Sequence, residues 1–488
     1  MQCIQISSFA ADGEAIQTTR EAPVTPEAAE KQQVESSVVN LYPDWEYQTI
    51  DGFGGAMTES AAWLFSRMES GTRKRALSAF FGPGGLGIKF VRVSIDSCDY
   101  SLEEYQAVED PLADPELASF SIKRDKLYVI PMLKEAMALS TESLSVLLSP
   151  WSPPACWKTP PDMNNDMAVY GGFLGIKGPS KEPSRCYGGS LKPEYYGSWA
   201  RYLVKYVQAY RDEGIPVTML SIQNEAGAAT MWDSCVWTAE EEKVFLRDHL
   251  YPALQRAALA ESVGIFIWDH NKERALERAL GVIDETTAGQ IAGIAFHWYS
   301  GDHFEAVQML GERFPGKVLM HSECCPLHKP GVAGMGLPFL PPSPKTAGAV
   351  DYEDAVRYAH ELIGDLNAGT RRWIDWNLIV DEAGGPRHVP GGFAAGMIAQ
   401  GDGSFRTNLI HHYVAHFAQY IRPGAKRIGF SRYSDAFEMT AVKNPDGALI
   451  AVLLNKGHDD AVAALRVMGQ ILRVSLAAHT IATIVIEP

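Results

Sequence analysis

Val217-Thr218-Met219-Leu220-Ser221-Ile222-Gln223-Asn224-Glu225 is apolar and β-branched up to Ile222, without helical spacing, and then turns polar before a loop rich in Gly and Ala. A short apolar run that breaks into polar groups reads as a buried parallel strand whose C-terminal end opens on a cleft. Glu225 is the last residue of that end. The same shape recurs about a hundred residues later, where Val318, Leu319 and Met320 lead through His321 and Ser322 to Glu323. Two strands would thus each deliver one carboxylate to the same side of a sheet. Two facing carboxylates suit cleavage of a glycosidic bond, one acting as proton donor and the other as nucleophile or base.

Outward from this stretch the chain keeps a rhythm. Candidate strands at Gln48–Ala56, Ile88–Ile95, Leu144–Trp151, Val217–Glu225, Gly264–His270, Ile291–Trp298, Lys317–Glu323 and Arg371–Leu378 alternate with helical segments. Helices are expected over Asp125–Leu139, Pro193–Glu213, Thr238–Ala258, Asp302–Arg313 and Tyr352–Asn367. Thr238 with Glu241 three residues on is a capping-box signature, and Pro193 suits a first helical turn. Eight strand–helix repeats with no G-x-G-x-x-G after the first strand predict an α/β fold, a closed (β/α)₈ TIM barrel. From Lys426 the pattern changes to short alternating segments around the turn Asn444-Pro445-Asp446-Gly447, the signature of a β-sandwich. The expected domains are a flexible leader at 1–31, strands at 32–47 that join the sandwich, a catalytic barrel at 48–425 and an accessory sandwich at 426–488.

Composition narrows the function. A formal charge of −16 disfavours nucleic acid and anionic membrane as partners, because both require clustered Lys and Arg. Seven scattered cysteines without a C-x-x-C pair suggest neither a disulfide framework nor a zinc site. No stretch of 18 apolar residues is present, and the N-terminus lacks the basic and apolar regions of a signal peptide, so a cytoplasmic location is expected. No cofactor and no metal is expected. Strand-end histidines His297 and His321 could serve a metal-dependent hydrolase, but His411 and His412 are adjacent on a helical stretch and face different directions.

The other expected strand ends are rich in aromatic and polar residues: Arg92 through Tyr100, Ser149-Pro150-Trp151-Ser152-Pro153-Pro154, His297-Trp298-Tyr299, and Trp373-Ile374-Asp375-Trp376-Asn377. Rings stack on the C–H faces of sugars while carboxylates and amides hold hydroxyls. Together with Asp51-Gly52-Phe53-Gly54-Gly55-Ala56-Met57-Thr58-Glu59, Asn224-Glu225, Phe296-His297-Trp298-Tyr299, Ser322-Glu323 and Gly384-Gly385-Pro386, these segments resemble the family-30 glycoside hydrolases, the glucosylceramidase-like retaining β-glycosidases of clan A. The resemblance spans roughly residues 48 to 488. It implies Glu225 as acid/base, Glu323 as nucleophile, and Asn224 on the sugar 2-hydroxyl. It further implies Asp99, Trp151 and Trp376 on the sugar hydroxyls and ring face, Arg92 beneath Glu323, Tyr299 donating toward Glu323, and His297 and Trp232 lining the pocket. Two departures stand out: Ala226 in place of proline after the acid/base, and Arg387-His388 after Gly384-Gly385-Pro386, where human-type relatives carry asparagine.

The resulting expectation is a retaining β-glycoside hydrolase, exo-acting and β-glucosidase- or glucosylceramidase-like, working through a glycosyl-enzyme intermediate. Its substrate would be a β-linked glycoside or short oligosaccharide, a glycolipid being one form of it. A β-1,6-glucanase, a β-xylosidase or a β-fucosidase of the same family remains open, as does a non-catalytic sugar-binding protein. Loops at Asp162–Lys192 and Pro326–Ala349, including the proline-rich Pro338–Pro344, are expected to wall the cleft.

Overall fold

The computed structural model describes residues 2–10, 17–28, 37–163, 181–326, 352–389 and 391–488. Eight parallel strands close a barrel in the chain order Gly52–Ala56, Phe90–Ile95, Ser145–Pro150, Val217–Ser221, Gly264–Asn271, Ile291–His297, Val318–Glu323 and Arg372–Asn377. They are called the first to eighth barrel strands below. Each falls within or overlaps an apolar run read from the sequence. The fourth stops at Ser221, so Asn224 and Glu225 lie on the loop beyond it.

Strands two to eight each send one side chain into a plug at the base of the lumen: Phe90, Leu147, Met219, Phe266, Ala295, Met320 and Ile374. The first strand contributes no bulk here, because a Cβ on Gly54 would run into the carbonyl oxygen of Phe90. Filling the lumen from below leaves its C-terminal mouth for polar groups.

The helices pack outside. The expected helix after the fourth strand begins at Ala239 behind N-cap Thr238, with the Thr238/Glu241 capping box formed, but its middle, Phe245–Leu250, widens into a π-helical segment before Tyr251–Arg256. The helical stretch around His411 and His412 is helix Leu409–Ala418, while helices Glu59–Arg67, Ser70–Phe81 and Ala275–Val282 have no counterpart among the expected elements.

The accessory domain is a ten-stranded sheet in the order Gln17–Pro23, Cys3–Ala10, Thr480–Ile486, Leu449–Asn455, Glu438–Lys443, Ala425–Ser431, Val39–Ile50, Ala461–Val467, Gln470–Leu476, Glu27–Ala28. It folds over its own core, which includes Val39, Leu41, Met439, Leu453, Leu465, Leu472 and Ile484. One expectation is corrected here. Residues 3–10 are not a loose leader but a strand paired antiparallel with Thr480–Ile486, from Cys3 opposite Ile486 to Phe9 opposite Thr480. The pairing covers an otherwise open strand edge, and Cys3, Ile6, Ser7 and Ser8 are buried there. The proline-rich Pro338–Pro344 and most of the two expected cleft-wall loops lie outside the described residues. No described helix is long and apolar enough to cross a membrane.

The two domains share a packed face. Strand Val39–Ile50 leads directly into the first barrel strand, and Asp51 between them binds Arg371 at 2.9 Å and Arg372 at 2.8 Å. His360, on helix Tyr352–Ala368, bridges the domains, with Nδ1 at 2.6 Å from Glu438 and Nε2 at 3.0 Å from Asp302. Hydrogen bonding to Glu438 outweighs burial and raises its pKa to about 9. Because the folded value exceeds the unfolded one of about 6.5, the bridge stabilises fully below that pH and is lost as pH rises through about 9. His360→Asn is therefore expected to cost about 1–2 kcal/mol near pH 6, allowing for solvent screening at the exposed Asp302. Calorimetric melts should show the difference from wild type vanishing near the alkaline end. An equal loss at both ends would contradict the ion-pair reading.

Candidate active site

Arg92 projects from the second barrel strand into the middle of the lumen, where its side chain is fully buried. A buried guanidinium must find acceptors for its donors. One terminal nitrogen binds Glu323, the other reaches Asn224 Oδ1 at 2.7 Å and Asp269 Oδ2 at 2.9 Å, and Nε donates to Ser149 Oγ at 3.2 Å. Its planar face lies over Trp151 and Trp376, 4.9 Å and 5.4 Å from their ring centres. One side chain thus ties together strands two, three, five and seven and the loop after strand four. The tie also fixes Asn224: with Oδ1 taken by Arg92, its amide nitrogen is the group left to donate.

Glu323, the last residue of the seventh strand, also accepts a hydrogen bond from Tyr299 Oη at 2.8 Å. Glu225 sits differently. Its Oε1 lies 3.6 Å from His297 Nδ1 and 3.7 Å from His270 Nδ1, with no hydrogen bond closed to either. The residue has a left-handed φ of 50°, held by its N–H donating to Asp269 O at 2.7 Å and by Ala228 N–H donating to its carbonyl at 2.8 Å. A non-glycine residue there stores roughly 1 kcal/mol or more, which its neighbours must hold in place.

Asp269 and His270 are functional candidates absent from the sequence reading. The fifth strand bulges at this point, Trp268 and Asp269 both having positive φ while the register to the sixth strand slips. The bulge brings Asp269 among Arg92, Ser322 Oγ at 2.6 Å and His297 Nε2 at 3.1 Å. Burial would raise the Asp269 carboxyl, but Arg92 and His297 hold it far below the usual range. Burial opposes charge on His297 too, yet Glu323, Asp269 and Glu225 raise it to about 9, so the ring is cationic at neutral pH. His270 is lowered, mainly by burial.

Burial pushes both glutamates upward. On Glu225 the His297 and His270 imidazoles win, and its pKa falls below the ordinary glutamate value. On Glu323 burial and the charge of Glu225 prevail over His297, Arg92 and Tyr299, leaving it above that value. Direct contacts nevertheless favour Glu323 as the carrier of negative charge, since it accepts from a guanidinium and a phenol while the two imidazoles beside Glu225 stand 3.6 and 3.7 Å away.

The rest of the pocket is aromatic. Trp151 and Trp376 stack at 5.2 Å, Tyr100 meets Trp376 edge-on at 6.2 Å, and half-buried Trp232 and Tyr299 pack against the same cluster. Asp99 lies against Arg387, 3.3 Å away; burial raises its pKa to about 7 although Arg387 acts to lower it. All ten side chains expected at the site, Arg92, Asp99, Trp151, Asn224, Glu225, Trp232, His297, Tyr299, Glu323 and Trp376, therefore gather at the C-terminal mouth. Three groups of described residues have the composition of a cation site. Glu225, His270 and His297 belong to the carboxylate centre itself. The Lys272 ammonium already lies among His321, Glu361 and Asp365, binding both carboxylates. In the third, Arg185 pairs with the Asp233 that lies beside Glu104 and Cys186.

The chain matches the glycosyl hydrolase family 30 TIM-barrel domain over residues 50–421 and the family 30 β-sandwich domain over 424–484. It belongs to glycosyl hydrolase family 30. It is 28% identical over 440 residues to the lysosomal acid glucosylceramidase of Mus musculus, covering 87% of this chain and 78% of that protein. It is 26% identical over 443 residues to the endo-1,6-β-D-glucanase neg1 of Aspergillus fumigatus, covering 87% and 82%. Among solved structures it resembles SrfJ from Salmonella typhimurium, with a TM-score of 0.85 and 31% identity across the whole of both chains. The family 30 chain described here is accordingly a glycoside hydrolase.

Replacing His297 by glutamine removes a cation beside Glu225 and should raise the Glu225 pKa. Carbon-13 NMR titration of labelled glutamate carboxyls, assigned against Glu225→Gln, reads this directly. A Glu225 resonance that titrates at an unchanged pH would contradict the electrostatic coupling.

Proposed function

We propose that this family 30 enzyme is a retaining β-glycosidase that removes a terminal glucosyl unit from short β-glucosides by double displacement. The observation that carries the proposal is the asymmetry between the two glutamates. Glu323 is gripped by Arg92 and Tyr299, as suits an oriented anionic nucleophile, while Glu225 closes no hydrogen bond to its carboxyl among the described residues and has a cationic imidazole 3.6 Å away. Glu323 attacks the anomeric carbon as Glu225 gives a proton to the departing oxygen. Ionised Glu225 then takes a proton from the water that releases the sugar.

The first step requires a proton on Glu225, although in the free site its pKa is lowered. A sugar in the cleft displaces water and so raises the carboxyl, and His297 stands next to it as the nearest proton source. Asn224, its amide nitrogen turned away from Arg92, suits the 2-hydroxyl, whose hydrogen bond strengthens in an oxocarbenium-like transition state. Trp151 and Trp376 would carry the ring.

The named activity of the mouse relative supports a glucoside, with a glycolipid among the candidate aglycones. The named activity of the Aspergillus relative supports a second reading, an endo-β-1,6-glucanase. Exo-action is favoured by the near-closure of the Asp99 end of the pocket, where the Asp99 and Arg387 side chains are 7% and 3% exposed. Release of glucose alone from a β-1,6-glucan would support exo-action, and release of longer oligosaccharides the endo alternative.

Glu323→Gln should reduce turnover of every β-glucoside roughly 10⁴-fold or more. Glu225→Gln should cost roughly 10²–10⁴-fold on a poor alkyl leaving group and much less on a dinitrophenyl glucoside, which departs without protonation. Steady-state kinetics on the two substrates checks both. Equal losses for the two variants on the activated substrate would refute the division of roles.

A further inference from the structure

We infer that Arg387, on the loop after the eighth barrel strand, is a specificity-determining residue that donates to a sugar hydroxyl remote from the scissile bond, in concert with Asp99. The inference rests on the proposed glucosidase reading and deepens it.

The Arg387 side chain is 3% exposed, yet none of its three guanidinium nitrogens donates a well-formed hydrogen bond to a described residue. Its contacts are the rings of Tyr100 at 5.0 Å and Phe393 at 4.8 Å, with Trp232 at 6.0 Å, and Asp99 Oδ2 at 3.3 Å. Asp99 balances the charge, but buried N–H groups without an aligned acceptor remain unfavourable. An oxygen brought in by a ligand would remove that cost.

The position of the pair follows from the aromatic wall. Arg92, which binds Glu323, lies over Trp376; Trp376 meets Tyr100; and Tyr100 carries Arg387 on its face. Arg387 and Asp99 therefore stand one ring farther along this wall than the carboxylate centre. A pyranose with its anomeric carbon at Glu323 and its face on Trp376 would point its C4 and C6 oxygens toward them.

Charge selects the ligand class. The Arg387 cation is matched by Asp99, and neighbouring His388 lies 3.3 Å from Asp233, so no surplus positive charge awaits an anionic sugar. A donor and an acceptor 3.3 Å apart instead fit a hydroxyl, which can accept from Arg387 while donating to Asp99. The ligand class is thus a neutral hexopyranoside that offers a C4 or C6 hydroxyl to the pair, and the glucosidase reading on which this rests makes that sugar glucose.

The test compares wild type with Arg387→Gln and Arg387→Lys on 4-nitrophenyl β-glucoside, β-galactoside and β-xyloside. The galactoside inverts the C4 hydroxyl and the xyloside lacks the C6 hydroxymethyl group. Loss of a charged hydrogen bond should lower kcat/KM on the glucoside roughly 10- to 100-fold in Arg387→Gln. The loss on the galactoside, the xyloside or both should be much smaller, narrowing the preference for glucose. Arg387→Lys, which retains charge and one donor direction, should recover part of that preference and serves as the deciding variant should Arg387→Gln fail to fold. Equal losses on all three substrates, or unchanged ratios in the folded variants, overturn the role of Arg387 while leaving the proposed function standing. A wild-type enzyme that cleaves none of the three overturns the proposed function and this inference with it.

Discussion

The burial of Arg92 is the constraint on which the rest of the site depends. A guanidinium with no solvent access must be surrounded by acceptors, and here the acceptors are Glu323, Asp269, Asn224 and Ser149. Removing it would leave Glu323 and Asp269 to share the single charge of His297 in a poorly solvated lumen, so the cation is as much a structural pin as an electrostatic partner. It also explains why nucleophile candidate and sugar-facing amide are positioned together: both are tied to the same planar group, whose faces are in turn held by Trp151 and Trp376. Preorganisation of this kind lets a charged site act without reorganising when charge moves.

The fold supplies that pin by dividing the barrel in two. Below, the plug from Phe90 to Ile374 excludes water and fixes the strands; above, the strand ends turn polar. Two local distortions then aim the acid groups. The bulge at Asp269 directs a carboxylate inward to balance Arg92 and His297, and the left-handed Glu225 is latched to that bulge through the Asp269 carbonyl. Strain is concentrated where the chemistry is proposed, and the remainder of the barrel is regular enough to hold it. The accessory sandwich braces the outside of the barrel through Asp51, His360 and the packing of helix Leu409–Ala418 against the sheet, where His416 bonds Thr483 at 2.9 Å.

Much of this was legible in the sequence, for identifiable reasons. Most barrel strands are buried on both faces and appear as largely apolar runs, so the strand–helix rhythm is visible, and a glutamate closing such a run is conspicuous. Asp269 and His270 also close a run, but in the sequence Gly264–His270 reads as plain strand, and only the bulge turns the carboxylate inward. Arg387 stands out in the sequence only as a departure, since nothing local in Gly384-Gly385-Pro386-Arg387 reveals that the side chain ends beside Asp99. The strand at residues 3–10 is hidden in the sequence because the composition of the whole N-terminal segment masks the short pattern Cys3-Ile4-Gln5-Ile6, whose partner is Thr480–Ile486. Pairings of such long sequence separation leave little trace in local pattern.

The most direct test is to trap the intermediate. A 2-deoxy-2-fluoro-β-glucoside with a dinitrophenyl leaving group lets the first displacement proceed and slows the second, because fluorine destabilises the cation-like transition state. Mass spectrometry of the intact protein followed by peptide mapping should then find a single fluoroglucosyl adduct on Glu323. An adduct on Glu225, or a first-formed sugar of inverted anomeric configuration from an ordinary aryl glucoside, would contradict the assignment of Arg92 and Tyr299 as the grip on a nucleophile.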